Sequence, residues 1–179
     1  MFSFLKLKEE FEILVTDHPV RSIGDAIRKE IGAKFVNKQF NFSGELSRNM
    51  SYVLKDKISF MVFRPSVGPF VFLEVSFNEN FKSDKEKVKI EVKKRLGKTF
   101  YIHFWFPIFF GFIAFLFVSY IYLTNSSDII FNMLLIPLIF IFYGMFIYIV
   151  AYFKMEGQAS RFKKLLKSNA ISFSKMNIK

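Results

Sequence analysis

Hydrophobic and polar positions change period three times along the chain. Phe11, Ile13 and Val15 recur at every second position, which is the signature of a half-buried strand. A helix follows. Thr16 or Asp17 can cap it, Pro19 fits its first turn, Ile23, Ala26, Ile27 and Ile31 fall at helical spacing, and Gly32 stands where a left-handed C-terminal residue is wanted. From residue 40 onward short strands are predicted at 40–46, 52–54, 58–63, 70–77 and 87–92. Ser47-Arg48-Asn49, Lys55-Asp56-Lys57, Pro65-Ser66-Val67-Gly68-Pro69 and residues 78–84 separate them as turns. Strands joined by such short turns pair antiparallel. In the last of them Val88, Ile90 and Val92 form an apolar face and Lys87, Lys89, Glu91 and Lys93 a charged one, so one side of the sheet covers the helix and the other meets water. The pattern predicts an α+β fold, a small antiparallel sheet with one helix, over residues 1–98.

The period then disappears. Between Lys98 and Lys154 there is no lysine, arginine or glutamate, and Asp128 is the sole acid. Two apolar stretches, 100–123 and 129–153, each exceed the roughly 20 residues that carry a helix across a hydrocarbon core. Neither alternates as a membrane barrel strand does, so a two-helix transmembrane hairpin over 99–153 is expected. The basic remainder, 154–179, places Phe162, Leu165 and Leu166 on one face of a possible helix, with Arg161, Lys163, Lys164 and Lys167 on its other faces. It is read either as an amphipathic segment along the inner leaflet or as a disordered basic tail.

Charge sets the expected orientation. The net charge of +11 divides into +6 over residues 1–98, from 19 basic and 13 acidic side chains, −1 in the hairpin, and +6 in the tail, from 7 basic and 1 acidic. Basic residues crowd the outer flanks of both apolar stretches, whereas the connection Thr124-Asn125-Ser126-Ser127-Asp128 has none. Both termini are therefore expected in the cytoplasm and the protein in the cytoplasmic (inner) membrane, as a multi-pass chain. The start, MFSFLKLKEEFE, turns charged too early for a cleaved signal peptide. With no cysteine, disulfides, thiolate metal sites and thiol nucleophiles are excluded. The 27 phenylalanines fit a coding bias toward AT-rich codons better than an aromatic-binding role.

Candidate chemistry is sparse. His18 beside Asp17 reads as a helix-start feature, Asp128 as a cap of the second helix, and Asn49-Met50-Ser51 and Asn125-Ser126-Ser127 as chance matches to an acceptor tripeptide. No glycine-rich phosphate loop occurs, and no ionisable group lies deep in either apolar stretch, which disfavours nucleotide hydrolysis and ion-coupled transport. No catalytic residue, metal ligand or cofactor is expected, and nucleic-acid binding is disfavoured because the lysines cluster toward the spans. Lys93, Lys94, Arg95, Lys98, Arg161, Lys163, Lys164 and Lys167 are the expected membrane-surface contacts, each drawing about 1 kcal/mol from anionic headgroups. Tyr101, His103, Trp105 and Tyr152 are the expected interfacial anchors. Gly111, Ala114, Ser119, Gly144 and Ala151 supply small positions for helix contact, and Pro107 and Pro137 possible kinks.

The layout resembles a loose class of uncharacterised small bacterial membrane proteins with a soluble α/β module followed by a two-helix transmembrane hairpin. The shared pattern lies in Phe42-Ser43-Gly44-Glu45-Leu46, in Phe60-Met61-Val62-Phe63-Arg64 before a proline turn, and in Pro69-Phe70-Val71. Leu73 and Glu74 stand where such proteins have a glycine. The resemblance implies architecture and brings no activity or site residues.

These readings lead to a non-enzymatic, membrane-anchored binding or regulatory module, whose soluble domain engages a protein or the acidic inner leaflet. The alternative is an oligomeric pore-forming or membrane-perturbing effector gated by that domain. A lipid-acting enzyme would have to rely on His103 alone.

Overall fold

The computed structural model describes residues 11–34, 39–47, 51–57, 68–78, 87–125 and 133–176. Six strands, β1 (Phe11–Thr16), β2 (Phe42–Leu46), β3 (Tyr52–Asp56), β4 (Val71–Asn78), β5 (Val88–Leu96) and β6 (Ser174–Met176), form one antiparallel sheet in the order β2-β3-β4-β5-β1-β6. Three helices accompany it: α1 (Val20–Gly32), α2 (Lys98–Asn125) and α3 (Leu135–Ser168). The fold is α+β, a small sheet with one helix followed by two long apolar helices. The strand expected at 58–63, Asp128 and the start of the second apolar stretch lie outside the described residues.

Alternation in β4 and β5 sets the core. Leu73, Val75, Ile90 and Val92 point to one face and are buried there with Leu54 and Phe42. β1 forms where the alternation of Phe11, Ile13 and Val15 placed it, with Ile13 buried, but both of its faces are covered at the centre. Leu14, opposite Ile90, faces this core, while Phe11 is 39% exposed on the other face. Glu12 and Thr16 share the face of Leu14, so counting only Phe11, Ile13 and Val15 concealed which side faces this core.

Ile23, Ala26 and Ile27 seat α1 on the sheet. Its start differs from the predicted cap. Pro19 holds the N-cap position with no side-chain hydrogen bond, and the Thr16 hydroxyl instead accepts from the His18 N–H (3.2 Å) and donates to the Ser172 carbonyl (2.6 Å). Thr16 thus ties β1 to the segment before β6. At the other end Gly32 is not left-handed; the chain leaves through an extended Ala33.

The largest departure is α3. It continues without a break from the second apolar stretch, so that Phe162, Leu165 and Leu166 are buried in the sheet's core beside α1. The helix spans 34 residues, about 51 Å at 1.5 Å per residue, more than a hydrocarbon core requires. It ends in a Schellman turn: the Ile171 N–H donates to the Leu166 carbonyl and the Ala170 N–H to the Lys167 carbonyl, both at 3.0 Å. Ala170 takes the left-handed position, φ 59°, usually given to glycine. Ile171 packs into the core with Leu166, and β6 then pairs with β1. The segment is thus an ordered helix and not a disordered tail, and its apolar face is packed on the sheet.

Gly111 and Gly144 let α2 and α3 approach closely. A Cβ at Gly144 would lie 2.6 Å from Ile108 Cγ1, and one at Gly111 would lie 3.0 Å from the Pro137 carbonyl oxygen. At the base of the pair, Phe70 and Val71 of the sheet pack with Phe100, Phe104, Ile147, Ala151 and Met155 in a second core. Phe100 meets Phe70 edge-on at 5.6 Å and stacks on Phe104 at 5.3 Å. Sheet and long helices therefore share one packed junction.

Candidate functional site, a charged seam between helix and sheet

Beyond Phe153, α3 turns amphipathic. Met155, Gln158, Ala159, Phe162, Leu165 and Leu166 face the sheet, and charged side chains flank them on both sides. On one flank Arg161 pairs with Asp56 of β3 at 2.6 Å and lies over the Phe42 ring at 5.5 Å, while Lys154 lies over Phe70 at 5.7 Å. On the other, Glu156 pairs with Lys94 of β5, and Lys163 pairs with Glu12 of β1 at 2.5 Å. Lys94 is 2% exposed and also lies 3.7 Å from Glu12, and Lys175 of β6 reaches Glu12 at 3.6 Å. One network thus ties β1, β5, β6 and α3 together.

Electrostatics follow from this crowding. Burial pushes the Glu12 carboxyl up, but the hydrogen bond from Lys163 and the charges of Lys163, Lys94 and Lys175 outweigh it and hold the pKa below the ordinary 4.5. Between the flanks, Gln158 is fully buried. Its amide donates to the Val71 carbonyl at 3.3 Å, and its own oxygen has no donor among the described residues.

The expected membrane-surface residues do not share one surface. Lys94 is a core residue with no surface to offer. Arg161 and Lys163 are half-buried and ion-paired to the sheet. Lys164 and Lys167 are exposed on the side of α3 away from the sheet, yet they lie about 16 and 21 Å beyond Phe153 along the helix. Nearer the helix starts, Lys98 is exposed as the first residue of α2, Arg95 pairs with Glu74 at 2.6 Å, and Lys93 lies half-buried on the outer sheet face. Tyr101, Trp105 and Tyr152 are exposed and His103 half-buried, all close to the aromatic junction.

On the outer sheet face, Lys89–Glu91 at 2.9 Å and Arg95–Glu74 are internal pairs, so that face is not uniformly basic. Sequence reasoning missed Glu12, Asp56, Glu156 and Gln158 as partners. The available signal was the alternation Val88, Ile90, Val92, Lys94, which puts Lys94 inward. Among the described residues no group of three or more His, Asp or Glu side chains is placed to hold a metal ion. The arrangement offers ionic and apolar adhesion, with no nucleophile–base pair among these contacts.

No family model matches the chain, and neither a curated protein nor a solved structure does.

Proposed function

We propose that this protein is a membrane-anchored, non-enzymatic binding module: α2 and α3 cross the cytoplasmic membrane, both termini stay in the cytoplasm, and the sheet domain is held upright to engage a protein partner. The observation that carries the reading is the continuity of α3 from an apolar stretch into the core of the sheet. Support for the parity of crossing comes from β1, which pairs with β5 before the two long helices and with β6 after them, so the strands that precede and follow the pair of helices belong to one sheet. The basic flanks assign that side to the cytoplasm.

Geometry favours a protein partner over the leaflet for most of the domain. Along β5, eight residue steps separate Val88 from Leu96, about 26 Å, and Thr16 lies opposite Val88. The Thr16–Pro19 end of the domain is thus displayed far from the helix starts, while Lys98 and the aromatic residues stay beside them. A pore is less well supported: the side chains that α2 and α3 expose are mostly Phe, Ile, Leu and Tyr, which suit lipid, and Gly111 and Gly144 are used up within the pair.

Photocrosslinking of the full-length chain in native membranes tests this reading. A benzophenone amino acid in place of His18 should give a discrete protein adduct, and one in place of Lys98 should give lipid adducts. Lipid adducts from both positions, with no protein adduct from His18, would transfer the role to leaflet binding.

A further inference from the structure

The part of α3 that closes the sheet has the composition of a membrane-surface helix. Arg161, Lys163, Lys164 and Lys167 surround an apolar face of Phe162, Leu165 and Leu166, the combination that seats a helix on anionic lipid. In the structure the sheet occupies that face, and Asp56 and Glu12 take the place a lipid phosphate would take on Arg161 and Lys163. Two independent features sit at the start of this segment. Gly157 is exposed in the middle of the helix, and a Cβ added there would meet nothing within 4 Å, so neither packing nor backbone conformation requires glycine. It is a point of easy bending. Next to it Gln158 is fully buried, and its carbonyl oxygen has no donor among the described residues, whereas undocking would give it water.

We propose that α3 beyond Gly157 is a releasable strap with two berths, the sheet core seen here and the anionic surface of the membrane that anchors the chain. Bending at Gly157 exchanges the Asp56–Arg161 and Glu12–Lys163 pairs for lipid phosphates, parts the short β6 from β1 and uncovers the sheet face lined by Leu54, Leu73 and Ile90. The inference rests on the membrane-anchored reading above. Lys164 separates the two berths. It is exposed in the docked state, with its side chain on the solvent side of α3, so its loss should weaken only the lipid berth.

The test uses the full chain reconstituted into vesicles of phosphatidylcholine alone or mixed with phosphatidylglycerol. Because the chain has no cysteine, spin labels at Ser160→Cys and Glu45→Cys report the strap-to-sheet distance without background. One distance is expected in phosphatidylcholine, and a second, longer one in the anionic vesicles. Lys164→Gln should reduce the ratio of released to docked strap by at most about fivefold, the worth of one basic residue at an anionic surface, since Lys164 lies opposite the apolar face. Gly157→Ala should suppress the longer distance while keeping the docked one. A single unchanged distance in both vesicle types, in a chain that floats with the vesicles, would overturn the strap alone. A chain that does not float with them would overturn the membrane-anchored reading on which it rests.

Discussion

Lys94 and Glu156 form an ion pair between the strand that leads into α2 and the helix that continues the second apolar stretch. Lys94 lies four residues before the first residue of α2, and Glu156 lies three residues after Phe153, so the pair clasps both long helices at the base of the sheet.

The two partners differ in burial, and the cost of losing them should differ accordingly. Lys94→Ala removes a buried cation shared by Glu12, which keeps Lys163 and Lys175, and Glu156, for an expected loss of about 2–3 kcal/mol. Glu156 is 41% exposed, and Lys94 keeps Glu12 nearby, so Glu156→Gln should cost only about 1 kcal/mol. Chemical denaturation of the detergent-solubilised chain measures both; equal losses would contradict the central place given to Lys94.

Two glycines should respond oppositely to alanine. At Gly97 a Cβ would lie 1.6 Å from the Pro69 carbonyl oxygen, and its own N–H donates to the Phe70 carbonyl at 2.9 Å. Gly97→Ala must push β4 and β5 apart and should cost about 3 kcal/mol or prevent folding. At Gly157 the space is open, and Gly157→Ala should add about 0.5–1 kcal/mol of stability. Thermal melts of the two variants against the parent chain check the contrast.

The Schellman turn after α3 carries an alanine at φ 59°, where an L side chain is disfavoured by about 1–2 kcal/mol. Ala170→Gly should therefore raise stability by about 1 kcal/mol, the gain in backbone fit being partly offset by the greater freedom of glycine in the unfolded chain. A melting temperature that falls would contradict this description of the helix end.

Acid sensitivity should trace to Glu12. Its folded pKa is depressed below 4.5 by the surrounding lysines, so its stabilisation is fully present above that value and is lost as pH falls through the depressed one. Protonation leaves Lys94, Lys163 and Lys175 facing a neutral side chain. Glu12→Gln should cost about 1–2 kcal/mol at neutral pH and flatten the acid limb of the stability curve. Melting temperatures of both chains from neutral pH down past 4 decide it, and parallel acid limbs would remove Glu12 from the account.

Much of the fold was readable because period and composition carry it. Ile23, Ala26 and Ile27 announced α1, Val88, Ile90 and Val92 announced β5, and the charge-free stretches announced α2 and the first part of α3. The seam was not readable for a specific reason. Periodicity shows that Phe162, Leu165 and Leu166 share a face but not what covers it, and a helix on a sheet has the same pattern as one on a bilayer. Lys94 was read by its charge when its position in the alternation already pointed inward. β6, with three exposed residues and no alternation, carries no local signal at all; its place depends on the turn after α3 and on Thr16 across the sheet.

The central claim is that the chain crosses the membrane twice and brings both ends back to one sheet in the cytoplasm. Labelling of single-cysteine variants in intact cells with a membrane-impermeant maleimide tests it directly. Ser127→Cys, in the connection between the long helices, should label from outside, whereas Asp17→Cys and Ser168→Cys should label only after permeabilisation. Labelling of Asp17→Cys or Ser168→Cys in sealed cells would contradict the account.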